Sequence, residues 1–217
     1  MELQYQLLLS LAVIHTVALA SPGPDFALVV KLSTQEQRST ALACALGLAM
    51  AITLHTLFSL TGVSLIIKSS PNLYLLVQLI GASYLAWMGF GAIKAGLSQW
   101  KMRQQLRESA PAKNINRLQG FIQGFSTNLL NPKALVFFIT LFSTLISPEI
   151  NLETKAAITL LMFSLSLIWF SFIALVLSKP AVQLKMQRAT PAINLITGLL
   201  FISVTIFIVT KLISEFI

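Results

Sequence analysis

The stretch "ALASPGPDFALVV" (residues 18–30) puts two prolines, a glycine and an aspartate inside an apolar run that begins near Leu3. Its surroundings decide how it is read. The 217-residue chain is 56% hydrophobic and 10% charged, with a mean hydropathy of +0.81, a composition that predicts an all-α polytopic membrane protein. A hydrocarbon core about 30 Å thick needs about 20 apolar helical residues to cross it. Proline removes a backbone donor and clashes with the preceding turn, so carbonyls around Ala18 to Ser21 lose their helical partners. Such groups cannot face lipid and must be buried in protein or line a wet cavity. The stretch therefore predicts a broken membrane helix.

Outward from it, six spans are predicted: Leu3 to Val30, Ala41 to Ile67, Leu73 to Ile93, Leu118 to Ile146, Ala156 to Leu177 and Ala189 to Thr210. The loops after spans one, three and five carry eleven Lys and Arg residues, six of them between Lys94 and Arg117. The opposite side carries three, Lys68, Lys155 and Lys211. Cytoplasmic loops hold the excess of cations, so both termini are expected outside. The net charge of +8 is then a topology signal that also draws the loops to anionic lipid headgroups. The basic loops lack the interleaved aromatics of a nucleic-acid surface. Ala18-Leu19-Ala20 imitates a signal-peptidase site, but Glu2 and the lack of a basic start argue against cleavage.

The second half repeats the feature. "NLLNPKALVFF" in span four, like "SPGPDFALVV" in span one, has a proline, then a charge, then an apolar helical run, so that Pro24-Asp25 corresponds to Pro132-Lys133. Three spans per half make the halves antiparallel across the membrane. The organisation expected is two inverted three-helix repeats, residues 1–93 and 118–217, joined by a basic cytoplasmic loop, 94–117, with helices one and four broken. Matching interruptions in two such halves mark a transporter's substrate site near the midplane.

Ser21 before Pro22, and Asn131 before Pro132, both read as N-caps followed by proline at the first helical position. A helix start offers free amides and partial positive charge. Asp25 complements such an end, whereas Lys133 adds to it and leaves the place attractive to an anion. Lys133 and the amides from Asn131 to Lys133 are thus expected to receive a carboxylate, and Asp25 an ammonium or a proton, together matching a zwitterionic amino acid. An ionised side chain at mid-membrane costs roughly 2.5 to 3.5 kcal/mol on insertion scales, and most such residues are functional. The competing reading is that Asp25 and Lys133 pair with each other and hold two broken helices together.

His15 and His55 are candidate proton relays, since imidazole titrates near neutrality, although a hydrogen-bonded packing role is preferred for each. No His, Cys or acidic cluster has metal-ligand spacing, so neither a metal nor another cofactor is expected. The single cysteine, Cys44, excludes an internal disulfide and reads as a small buried side chain. Ala41, Ala45 and Ala49, then Ala43, Gly47 and Ala51, recur at four-residue intervals in span two, and Gly120 and Gly124 form a GxxxG in span four. They read as close helix contacts.

With "SPGPDFALVV", "ALGLAMAITLHTLFSLTGVSLI", "GASYLAWMGFGAIKAG" and "GFSTNLLNPKALVFF" in that order, the chain resembles the lysine-exporter (LysE) superfamily, and most of all its homoserine and threonine (RhtB-type) branch. The resemblance implies six helices, the bacterial inner membrane, no enzymatic activity, and proton-driven export of small amino acids, with a homo-oligomer as an admissible form. Carried over by position, its motifs fall on Pro22, Gly23, Pro24 and Asp25, and on Asn128, Asn131, Pro132 and Lys133. Ala51 stands where many relatives have glycine, and the last helix is poor in glycine. Outside Asp25 the spans hold no acid for a second ammonium, which favours a neutral substrate such as threonine or homoserine. The rival readings are an accessory or binding subunit, and an intramembrane enzyme, for which no nucleophile with a base and an orienting group is visible.

Overall fold

In a computed structural model of the chain, residues 2–21, 23–63, 70–101, 115–147, 149–176 and 180–216 are described. Pro22 and most of the predicted basic loop, 102–114, lie outside them, as do the loop cations Lys68, Arg103, Arg107, Lys113 and Lys179. The described residues form helices α1 (Glu2–Ala20), α2 (Pro24–Gln35), α3 (Arg38–Phe58), α4 (Pro71–Lys101), α5 (Arg117–Leu129), α6 (Pro132–Leu145), α7 (Leu152–Val176) and α8 (Pro180–Phe216), with no strand among them. Four helices are long and apolar enough to cross a membrane. Two further spans arise if the bent pairs α1–α2 and α5–α6, with kinks of 58° and 55°, each count as one.

The order of elements is thus a bent pair and two long helices, occurring twice. Several helices overrun the predicted limits: α4 continues past Ile93 to Lys101, and α8 begins at Pro180 and carries Pro191 within it. After Phe58, α3 widens into a π turn over Ser59–Val63.

Packing follows the small residues. The closest helix pairs are α3 with α5, α4 with α8, and α3 with α7. A Cβ on Gly124 would overlap the Cys44 carbonyl, one on Gly120 the Thr40 carbonyl, and one on Gly47 the Phe121 carbonyl. In lipid no hydrophobic force draws helices together, so the backbones hold by van der Waals contact that only small residues permit. Cys44 is buried and free in this seam. On the other side Gly89 meets Gly198, and Gly96 meets the Pro191 carbonyl. These two seams join α3 to α5 and α4 to α8.

Candidate functional site

The two breaks differ in how their second helices begin. Asn131 caps α6 as its spacing predicted: its Oδ1 accepts from the Lys133 amide at 3.0 Å, with Pro132 in the first turn. The first break departs from the expectation. Gly23, not Ser21, is the N-cap of α2, extended in backbone and with no side-chain cap, and Pro24 follows it. With two prolines in three residues the chain had two permitted helix starts, and the later one puts Asp25 in the first turn, where its negative charge suits the helix end.

Freed from capping, Ser21 is buried and its Oγ accepts a hydrogen bond from Lys133 Nζ at 2.8 Å. Asp25 Oδ2 in turn accepts from Asn128 Nδ2 at 2.8 Å and from Asn131 Nδ2 at 3.4 Å. Among the described residues, then, each charge is held by polar side chains of the opposite break rather than by the other charge. Asp25 Oδ1 is buried with no partner, an expensive condition for a carboxylate oxygen away from water. Lys133 also lies 5.8 Å from the centre of the Phe201 ring, within the range of a cation–π contact.

Ser21, Gly23, Asp25, Asn128, Asn131 and Lys133 line one cavity of about 510 Å³, its open mouth included. Its remaining wall is apolar, with Phe137, Phe138, Phe170 and Phe201, and His15. A second hollow, about 1220 Å³ with its open mouth included, runs beside Trp87, Lys94 and Asn194, and shares Ser21, Lys133 and Phe201 with the first. Of the site residues expected from sequence, Ser21, Gly23, Asp25, Asn128, Asn131, Lys133 and His15 thus converge on the cavity, whereas Pro24, Pro132 and His55 do not line it and Pro22 lies outside the described residues. His55 Nε2 donates to the Asn128 carbonyl at 3.2 Å, which also accepts from the Asn131 amide at 3.0 Å. His15 Nε2 meets Ser166 Oγ at 2.9 Å. Both imidazoles contact the Phe138 ring.

Sequence reasoning missed the aromatic wall and Ser166. The phenylalanines of "KALVFFITLF" carry a signal in hindsight, since a helix lined by large apolar rings next to a charged break must turn some of them to the site. Ser166 carries none. No group of three or more His, Cys, Asp or Glu side chains that could hold a metal occurs among the described residues.

The LysE type translocator family model matches residues 16–212. The chain is 31% identical over 198 residues to a threonine efflux protein of Escherichia coli (strain K12), covering 90% of this chain and 93% of that one. It is 30% identical over 196 residues to a threonine efflux protein of Salmonella typhi, with the same coverage. A membrane protein of Bacillus subtilis, YrhP, is 25% identical over 184 residues, 83% of this chain and 88% of that one. No solved structure matches.

Proposed function

Because the chain belongs to the LysE type translocators and is therefore a transporter rather than an enzyme, we propose that it is a secondary exporter of small neutral amino acids. Threonine and homoserine are the substrates favoured, carried out across the bacterial inner membrane against protons. The observation that carries this reading is the cavity between the breaks, where an unpartnered carboxylate oxygen of Asp25 and the Lys133 ammonium line the same space. A zwitterion supplies the partner that Asp25 Oδ1 lacks and an anionic one for Lys133: its ammonium goes to Asp25, and its carboxylate goes to Lys133 and the start of α6.

The positive-inside reading turns the Lys94 end of α4 to the cytoplasm, with both termini outside. The hollow beside Lys94 is then the way in, and Ser21 is the partner that Lys133 leaves when the substrate carboxylate arrives. Residues 1–93 and 118–217 act as inverted repeats that move against each other, with the prolines fixing the broken helices. Proton uptake by Asp25 releases the ammonium outside. His55 serves as a hydrogen-bonded member of the framework, and the proton reaches Asp25 from the cavity.

Cells loaded with a threonine dipeptide test the reading. Those making the protein are expected to release threonine faster than cells without it, and equal release would count against export.

A further inference from the structure

We propose that His15, oriented by Ser166, reads the side chain of the substrate by accepting a hydrogen bond from its hydroxyl at Nδ1. The inference rests on the exporter reading and deepens it, since it turns a general amino-acid site into one for hydroxyl-bearing amino acids.

Ser166 sets the state of the ring. Its single hydroxyl proton is committed to the Met162 carbonyl, at 2.7 Å, one turn back on α7. A hydroxyl has one donor, so towards His15 Nε2, at 2.9 Å, Ser166 Oγ acts as acceptor. The Nε2 nitrogen therefore carries the proton. In the neutral ring Nδ1 is then a bare lone pair that can only accept. That lone pair is buried and has no partner, and the side chain is 2% exposed. Leaving a buried acceptor unsatisfied is costly. A donor brought in by a ligand removes that cost.

Position fits a side-chain reader. His15 is the one titratable residue in the otherwise apolar part of the cavity wall, set against Phe137 and Phe138 at ring separations of 6.4 and 5.7 Å. It lies five residues before the end of α1 at Ala20, about 7.5 Å along the axis at 1.5 Å per residue, and Ser21 follows directly. A substrate whose carboxylate sits on Lys133 beside Ser21 spans that distance with one hydrogen bond at each end and a short hydroxylated side chain between them. An aliphatic side chain of the same shape would bury the lone pair without satisfying it. Sites built to bond a substrate hydroxyl reject the analogue that lacks it for this reason.

The test uses the purified full chain in liposomes and compares isosteric pairs, threonine with valine and homoserine with norvaline, as initial fluxes measured in the same vesicles. Within-variant ratios do not depend on how much protein folds. The wild type is expected to prefer the hydroxylated member about tenfold in at least one pair, His15→Phe and Ser166→Ala to lose most of that preference, and His15→Asn, which keeps an acceptor near the Nδ1 position, to retain part of it. A wild type without preference overturns the inference, and so does a His15→Phe protein whose two fluxes fall in parallel. Should His15→Phe carry no flux, the other two variants decide. A His15→Asn protein equally inactive on every amino acid assigns the ring a proton-carrying or structural role instead and overturns the proposal. Wild-type vesicles that move no amino acid would defeat the exporter reading itself, which is a different failure.

Discussion

The breaks at Ala20–Pro24 and Leu129–Pro132 bend their spans by nearly the same angle, 58° and 55°, yet they solve the same problem with opposite means. The second opens a helix with a side-chain cap, Asn131, and then places a cation in the first turn. The first opens a helix without a side-chain cap and places an anion there. Their polar groups then cross over, with Asn128 and Asn131 of the second holding Asp25, and Ser21 of the first holding Lys133. Two neutral pairings keep opposite charges facing one cavity without neutralising each other, which is what a site for a zwitterion requires.

The sharpest way to break the comparison is to remove either charge. Asp25→Asn and Lys133→Ala are each expected to lower export about tenfold to a hundredfold, the loss of one charged hydrogen bond to substrate, at normal protein levels in the membrane. Normal transport by both would show that the cavity is not the site.

Exchanging the charges asks whether they serve each other or a ligand. The double variant Asp25→Lys with Lys133→Asp keeps opposite charges at the two helix starts but sets the cation against the amide donors of Asn128 and Asn131 and the anion against Ser21. Export by the double variant is expected to stay as low as in the worse single one. Recovery to near wild-type rates would mean that mutual attraction is their whole role.

The caps should separate by a smaller margin. Asn131→Ala removes a side-chain cap worth about 1 kcal/mol and one of the donors to Asp25, so lower thermal stability and roughly fivefold slower export are expected. Gly23→Ala is expected to change either by less than about twofold, because Gly23 is extended, at φ −163, where any residue is at ease, and its added methyl would meet Lys133 Nζ at an ordinary 3.6 Å. A Gly23→Ala effect as large as that of Asn131→Ala would remove the distinction between the breaks.

Much of this was legible in the sequence, and unevenly so. The breaks and the helix start at Asn131-Pro132 were readable because proline chemistry is local, and Gly120-xxx-Gly124 announced its seam because close approach needs small residues at helical spacing. "SPGP" misled by two residues: either proline suits a helix start, and the serine read as the cap instead meets Lys133, 112 residues away. Ser166 was silent since a serine within a helix satisfies itself on the carbonyl four residues back, and its second contact, to His15, spans 151 residues. The inverted repeats rest on the matched breaks and on the uneven placing of loop cations.

The central claim is that this chain, unaided, moves a zwitterion through the space between Asp25 and Lys133. It is tested most directly by labelled-threonine flux into liposomes that contain only the purified protein, with the pH gradient imposed in either direction. The account predicts flux that follows the gradient and is lost in Lys133→Ala. No flux of any amino acid under either gradient, or flux undiminished by that substitution, would contradict it.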